Sequence, residues 1–400
     1  MKLSYDFDVK ENFEMRVTTF FGLEEILAKE LMQLGGRDVT PFKRGVSVVG
    51  DLGFLYKANL CLHTALKVLI PITKFKASSD KELYDAVRGI AWEKFITVED
   101  RIMVEAVINS DFYTHSLYVS QKIKDGIVDR FRDQQGIRPD VDLLRPTFKI
   151  YAHIYKDEVS LLLDSSGEPL YKRGYRTDIN EAPIKEVLAA GLVKLSGWER
   201  HQLLIDGMCG SGTIGIEAAL WAENIPPGYY RNDFTCMLWK NFDEQLYDTI
   251  LESAISRIRE DKIEIIANDI NGFTLSKALQ NIKNAKVDDV ITTQKFSFFD
   301  ITPTRKSGVI ILNPPYGERM PVEEIETMYK EIGNKLKKDF GGYNAWIITS
   351  SPEAIKSVGL RPTRRIQIYN GSLECRYLKY ELYAGSKKAS KQTSNEPTKD

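Results

Sequence analysis

The sequence predicts an α/β protein whose carboxyl-terminal half is a doubly wound, mostly parallel sheet. Three observations carry that expectation. Short aliphatic runs alternate with helix-length amphipathic stretches from Leu203 to Thr349, the pattern of strands joined by crossover helices. A glycine-rich loop, Gly207-Met-Cys-Gly-Ser-Gly-Thr213, lies between one such strand and the helix after it. Finally, the buried-type run Val309-Ile-Ile-Leu312 stops at Asn313-Pro314-Pro315-Tyr316, where two prolines forbid both sheet extension and a helix interior. The carboxyl edge of an open parallel sheet is where ligands bind.

Taken in order, residues 13 to 50 read as a small α/β unit. A strand spans Phe13 to Phe20, a helix Gly22 to Leu34, and a second strand Val46 to Val49. A second helix is expected from Asp51 to Leu69, and together these suggest a ferredoxin-like piece. From Ser79 to Asp164 the periodicity gives a helix at Lys81–Ile90, a strand at Arg101–Val107 and a helix at Tyr118–Asp133. A hairpin of Phe148–Tyr155 and Glu158–Leu163 follows, turning at Lys156-Asp157. Residues 165 to 177 are turn-rich. Ala182-Pro183-Ile184 opens a helix to Leu195, since proline suits a first helical turn. Strands follow at Leu203–Ile205, Ile263–Ala267, Val290–Thr293, Val309–Leu312 and Ala345–Thr349, with helices at Thr213–Glu223, Phe242–Arg259, Phe273–Ala285 and Val322–Lys338. Arg364–Tyr369 and Arg376–Tyr383, joined through Asn370-Gly371, form a closing antiparallel hairpin. The last 15 residues, rich in Lys, Ser and Thr without large apolar side chains, are expected to be disordered.

Bulk properties exclude some classes. A length of 400 residues allows two or three domains, and 43% apolar with 28% charged residues is ordinary for a globular chain. The net charge of −1 means that any nucleic-acid footprint must be local. Cys61, Cys209, Cys236 and Cys375 are dispersed, as are the four histidines, so neither zinc nor a disulfide framework is expected. The amino terminus has no signal-length apolar core, and no stretch is apolar enough to span a bilayer, so a cytoplasmic protein is expected.

Two segments combine cations and rings. Lys122, Lys124, Arg130 and Arg138 lie on the 118–133 helix and the loop after it, interleaved with Asp125, Asp129 and Asp133. Charge alone reads equally as RNA contact or as a solvated helix face. Lys172, Arg173 and Arg176 with Tyr171 and Tyr175 form the densest basic-aromatic patch, with no acid from 169 to 177. Cations for phosphates and rings for bases suit a single strand; a linker that simply pins the chain is the competing reading.

The glycine loop Gly210-Ser211-Gly212-Thr213 suits either a dinucleotide or S-adenosylmethionine. A dinucleotide site wants an acid about 20 residues on, at the next strand end. Here that region is Ile225-Pro-Pro-Gly, and the next strand ends at Asn268-Asp269. Asp206 at the loop mouth suits the cationic groups of S-adenosylmethionine, Asp269 its ribose hydroxyls and Asp300 its adenine amino group. Each acid alone is more often a cap or a loop residue. Cys209 is expected as a small packed residue of the loop rather than a nucleophile. At the fourth strand end, Asn313 offers a side-chain carbonyl, Pro314 a backbone carbonyl and Tyr316 a flat ring. Two acceptors and a stacking face suit the exocyclic amine of a heterocycle.

With these motifs the chain resembles the bacterial THUMP-domain class I RNA methyltransferases. In particular it resembles the amino-terminal half of the bifunctional enzymes that modify guanine N2 of 23S ribosomal RNA. The resemblance covers about residues 10 to 385. It rests on Lys124-Asp-Gly-Ile-Val-Asp-Arg-Phe-Arg132, Arg138-Pro-Asp-Val141, Leu170-Tyr-Lys-Arg-Gly-Tyr-Arg176, Ala182-Pro-Ile-Lys-Glu186, Met208-Cys-Gly-Ser-Gly-Thr213 and Asn313-Pro-Pro-Tyr-Gly-Glu-Arg319. It implies a ferredoxin-like part at 1–50, an RNA-gripping THUMP domain at 51–164, a basic connector at 165–182 and a methyltransferase domain at 183–385. That last domain would be a Rossmann-like, seven-stranded, mostly parallel sheet ending in an antiparallel hairpin, followed by a disordered tail at 386–400. It implies S-adenosyl-L-methionine as cofactor, held by Pro183, Asp206, Cys209 to Thr213, Asp269, Asp300 and Asn313, with Asn313, Pro314 and Tyr316 at the target base. RNA, most simply 23S rRNA, is the implied partner. Gly207 stands where a proline is expected and should loosen the loop; Val187 stands where a polar residue is expected. Nothing after 385 is expected to fold as the second catalytic half, so one methylation is expected. Methylation of tRNA guanine, methylation of adenine in DNA (where Asn/Asp-Pro-Pro-Tyr also occurs), a non-catalytic RNA-binding assembly factor and, last, a nicotinamide oxidoreductase are the alternatives.

Overall fold

The computed structural model describes residues 11–176, 184–260, 262–315 and 322–383. They fall into two compact units. The first takes the described residues of Met1–Thr19, Leu27–Lys172 and Pro227–Ser256, and the second those of Phe20–Ile26, Arg173–Pro226 and Arg257–Asp400.

In the first unit the chain runs through β1 (Phe13–Thr18), α1 (Glu24–Gln33), β2 (Arg37–Phe42), β3 (Gly45–Gly50), α2 (Leu52–Cys61) and β4 (Lys67–Lys76). It continues through α3 (Asp80–Gly89), β5 (Arg101–Asn109), α4 (Ser116–Gln135), β6 (Asp140–Val141), β7 (Phe148–Tyr155) and β8 (Glu158–Asp164). All eight strands join one sheet in the order β2-β3-β1-β4-β8-β7-β5-β6, antiparallel except where β5 meets β6 and β7. The expected ferredoxin-like and RNA-gripping parts are therefore continuous across the β4–β8 ladder. Helix starts follow their caps: the Asp51 carboxylate accepts from the Phe54 amide at 2.7 Å, and Ser79 caps α3 through Glu82. The expected helix to Leu69 ends instead at Cys61. Thr64 explains the stop: its amide and hydroxyl both donate to Glu30 of α1, at 3.1 and 2.8 Å, and its carbonyl accepts from the Thr19 hydroxyl at 2.6 Å. These buried bonds hold the segment in a path that a helix could not take.

The second unit begins with α5 (Glu186–Ser196), β9 (Leu203–Asp206) and α6 (Thr213–Ala222). The excursion that follows, including α7 (Glu244–Ile255), belongs to the first unit. There Tyr56 of α2 accepts from the Asp243 amide at 3.0 Å and meets Phe242 and Tyr247 ring to ring at 5.3 and 5.8 Å. A single continuous domain from 183 to 385 is thus interrupted by 30 residues that fold elsewhere, Pro227–Ser256. The second unit resumes with β10 (Ile265–Asn268), α8 (Gly272–Asn284), β11 (Ile291–Gln294), β12 (Gly308–Leu312), α9 (Val322–Asp339), β13 (Tyr343–Thr349), α10 (Pro352–Ser357), β14 (Arg364–Asn370) and β15 (Leu373–Glu381). Its seven-stranded sheet has the order β11-β10-β9-β12-β13-β15-β14, with β15 antiparallel to both neighbours. All five residues of β12 are buried, as a central parallel strand covered on both faces requires. Strand order reverses between β9 and β12, so the crevice at their carboxyl ends is the topological switch point.

Candidate active site

The sheet register fixes where the expected site residues stand. Asp206, the last residue of β9, pairs with Ala267 of β10 on one side and Ile311 of β12 on the other. Asp269 lies two residues beyond Ala267, and Asn313 two beyond Ile311. The carboxylate of β9 is thus flanked by the acid of β10 and the amide of β12, on strands spaced about 4.8 Å apart.

Asp206 is fully buried, and neither carboxylate oxygen has a hydrogen-bond partner among the described residues. Burial pushes its pKa up to about 8; the Gly215 amide in the first turn of α6, which falls short of full hydrogen-bond geometry, pulls the other way, and Asp269 adds a smaller upward push. A buried carboxylate without partners fits a site built to be completed by a cationic ligand. The loop beside it is tightly made. Gly210 and Gly212 take positive φ of 55° and 80°, and a Cβ at Gly212 would stand 3.2 Å from the Ala278 methyl. Gly207, expected to loosen the loop, donates its amide to the Ile311 carbonyl at 3.1 Å. A proline there could not make that bond. Cys209 is buried, and burial followed by the charges of Asp206 and Asp269 drives its thiol well above the usual range, so it packs rather than attacks.

One contributor that sequence reasoning missed is Asn268. This fully buried amide donates to the Gly207 carbonyl at 3.0 Å and the Phe296 carbonyl at 3.1 Å, and accepts from the Phe296 amide at 3.2 Å. Its own carbonyl accepts from Cys209 at 2.8 Å. The loops after β9, β10 and β11 are therefore stitched by one side chain. Asp269 extends the stitching: Oδ2 accepts from the Gly210 amide at 2.9 Å and Oδ1 from Asn271 at 2.8 Å. The only sequence signal was an asparagine at the last position of a buried strand, which a strand seldom carries.

At the end of β12, Asn313 is half-buried and its buried Oδ1 has no partner among the described residues, while Pro314 is buried. The acceptor expected for an amine is thus present and unused. Tyr316 and Pro183 lie outside the described residues. Asp300, in a single 3₁₀ turn after β11, is exposed. Ser211 is held on both sides, its carbonyl by Asn281 at 3.1 Å and its hydroxyl 3.3 Å from that of Thr213.

The basic connector behaves differently from expectation. Arg173, expected to meet RNA phosphates, is 2% exposed and pairs with the fully buried Glu217 of α6 at 3.2 Å; Tyr175 donates to the same carboxylate at 3.2 Å. Arg176 reaches Glu186 of α5 at 3.1 Å, the Thr213 hydroxyl at 2.7 Å and the Ile184 carbonyl at 3.4 Å. Neither guanidinium is free for a phosphate. Their acids lie on α5 and α6, 10 and 44 residues away in sequence, so an acid-free stretch looked basic while its charges were already matched. Through Thr213 and Ser211 this brace props the glycine loop. Lys172 is exposed and pairs with Glu168. In the first unit, Arg130 forms a two-bond fork with Glu93, at 2.9 and 2.8 Å, and donates to the Arg88 carbonyl at the end of α3. That makes it a brace as well. Lys124 pairs with Asp125, and Lys122 lies 5.7 Å over the Tyr118 ring. Arg138 is exposed.

Known families match along the chain in the same order. An RlmL ferredoxin-like domain matches residues 14–69, a THUMP domain 77–164, and an RMKL-like methyltransferase domain 173–379, just over half the chain. The chain belongs to the RMKL-like methyltransferase family. A Synechocystis sp. protein named as a candidate RNA methyltransferase, slr0064, is 36% identical over 90% of this chain and 95% of its own length. The ribosomal RNA large subunit methyltransferase K/L of Syntrophotalea carbinolica is 35% identical over 90% of this chain, which spans 52% of that longer protein. Among solved structures, SMU.472, crystallised with S-adenosylhomocysteine, superposes with a TM-score of 0.83 at 27% identity, covering 94% of this chain and all of its own. A Listeria monocytogenes protein described as a predicted N6-adenine-specific DNA methylase gives 0.81 at 31% identity, over 93% and 97%. The cofactor of this RMKL-like chain is S-adenosylmethionine. Its residues fit: Asp206 is a buried carboxylate without a partner among the described residues, suited to a cationic group, Asp269 is a half-buried acceptor beside the loop, and Gly210 leaves open space for close backbone approach. Among the described residues no helix is long and apolar enough to cross a membrane.

Proposed function

We propose that this chain transfers a methyl group to the exocyclic N2 amine of a guanine in large-subunit ribosomal RNA. The observation that carries the reading is the buried Oδ1 of Asn313, without a partner among the described residues, at the switch point two residues past the strand position paired with Asp206. S-adenosylmethionine, when bound, supplies an electrophilic methyl on a sulfonium. The chain's own residues position the two reactants. Asp206 and Asp269 hold the cofactor's cationic and hydroxyl groups. Asn313 Oδ1 and the Pro314 carbonyl accept from the two amine hydrogens, which aims the nitrogen lone pair out of the plane of the base. No strong base is required, and Cys209 takes no part. The target base leaves its stack to reach this crevice, at a cost of a few kcal/mol, while the THUMP domain holds the RNA. A cytoplasmic location follows from such a substrate.

The choice of RNA over DNA rests on the THUMP match and on the K/L relatives, whose names specify ribosomal RNA. The Listeria description favours a second reading, adenine N6 in DNA, which offers the same amine chemistry to the same acceptors. Asn313→Ala separates catalysis from structure. Methyl transfer to RNA from a strain lacking the gene should vanish, with S-adenosylhomocysteine affinity within about twofold of the parent. Nucleoside analysis of RNA methylated by the parent should show N2-methylguanosine. N6-methyladenosine instead, or cofactor binding lost together with transfer, overturns the proposal.

A further inference from the structure

At the rim of the same crevice, the second unit exposes large apolar side chains that neither the core nor the cofactor loop uses. Phe273, in the first turn of α8, is 70% exposed, Ile270 68% and Phe296 53%. Scattered exposed apolar residues are ordinary, but Ile270 and Phe273 lie within four residues of Asp269, and Phe296 is tied to the neighbouring Asn268 through its backbone. The Asn271 side chain caps α8 by accepting from Phe273 and Thr274, at 3.0 and 3.2 Å, and its amide is in turn fixed by Asp269. The Phe296 backbone is clamped through both its amide and its carbonyl by Asn268.

Cations accompany the rings. Lys277 places its ammonium 4.8 Å from the Phe273 ring centroid. Lys295 lies along Gly272, where an added Cβ would stand 3.1 Å from Nζ. One ammonium thus sits over an exposed ring four residues past Asp269, and a second lies against the backbone position just before that ring. With Arg173 and Arg176 committed to buried carboxylates, they also supply positive charge that the connector does not offer to an anion.

We infer that Phe273, Lys277 and Lys295 form a platform for the RNA strand flanking the target nucleotide, one unpaired base stacking on Phe273 while the two lysines meet its phosphates. Rings with interleaved cations on a preformed edge are what sequence-tolerant single-strand binding requires. The inference rests on the proposed RNA reading. It adds a contact surface in the methyltransferase unit itself, separate from the THUMP domain.

The test measures binding of a fluorescein-labelled, mixed-sequence, single-stranded RNA 20-mer to the full chain across a salt series. S-adenosylhomocysteine affinity is measured by calorimetry on the same preparations. Phe273→Ala should weaken RNA binding roughly 5- to 150-fold, the range seen for loss of one stacked base. Lys277→Gln with Lys295→Gln should reduce the slope of log affinity against log salt by about 1.4, two phosphates' worth for a single strand. Cofactor affinity should be unchanged in both. RNA affinity unmoved in both variants overturns the platform and leaves the proposed function standing. Weaker S-adenosylhomocysteine binding by Phe273→Ala assigns the ring to the cofactor and likewise overturns it. Failure of the parent chain to bind the RNA at low salt sinks the RNA reading itself.

Discussion

Replacing Arg173 by methionine keeps much of the side-chain volume but leaves Glu217, fully buried, without its guanidinium. Removing one partner of a buried ion pair costs about 3–5 kcal/mol, because the remaining charge has neither solvent nor counter-ion. For a unit of this size that lowers the urea midpoint by about 1.5 M. The loss has a signature in pH. Burial already raises the Glu217 pKa, with Arg173 opposing it. Without Arg173 the folded-state pKa climbs further above the unfolded one, so the folded state holds a proton that the unfolded state releases. Stability therefore falls as pH rises above the ordinary carboxylate value of 4.5, and the deficit against the parent is small near pH 5 and larger at pH 8. The double variant Arg173→Met, Glu217→Gln should recover most of the loss, since Tyr175 can still donate to the neutral amide oxygen that takes the place of the carboxylate. Urea melts of the parent, both single variants and the double at three pH values measure all of this. A midpoint for Arg173→Met within about 0.2 M of the parent, a small fraction of the expected shift, would refute the buried-brace account, as would weakened RNA binding at full stability.

Asp206 should couple cofactor binding to proton release. With its pKa near 8 in the free chain, it is mostly protonated at pH 7 and must ionise to hold a cationic group. S-adenosylmethionine affinity should rise with pH and level off above about 8; calorimetry in buffers of different ionisation enthalpy reads the released proton, and an affinity flat from pH 6 to 8 contradicts the assignment. Asn268→Ala strands a buried amide and two carbonyls. It should cost about 2–4 kcal/mol of stability and weaken S-adenosylhomocysteine binding by an order of magnitude; a normal melt with normal binding would show that the three loops hold themselves. Asn313→Ala tests the proposed amine acceptor and Phe273→Ala the proposed platform, and the two should separate cleanly: transfer lost with cofactor binding kept in the first, RNA affinity lost with cofactor binding kept in the second.

Much of the methyltransferase unit was legible because its strands are buried on both faces. Val309–Leu312 had to be a central strand, and Pro314-Pro315 had to end it. The helices between them showed clear amphipathic spacing, and the glycine loop sat where the strand-to-helix turn required it. Elements without such pressure were missed. Strand β2, Arg37–Phe42, lies at a sheet edge, is almost wholly exposed and contains Pro41, so neither alternation nor β-propensity marked it. Helix α2 looked longer than it is because Leu62, Ala65 and Leu66 continue its apolar spacing, while the bonds that end it come from Thr19 and Glu30.

The sequence by itself determined the α/β class, the order of the families along the chain, the glycine loop between β9 and α6 and the place of Asn313-Pro314 at the end of β12, because each is encoded by residues close together in the chain. Only the tertiary structure decided what the charges do. Whether an arginine faces water or a carboxylate depends on acids tens of residues away, and folding brings Glu217 to Arg173 and Glu186 to Arg176. The same reason hid Asn268, whose partners lie on two other loops, and the return of Pro227–Ser256 to the first unit. Local periodicity records which face of an element is buried; it carries no record of what that face is buried against.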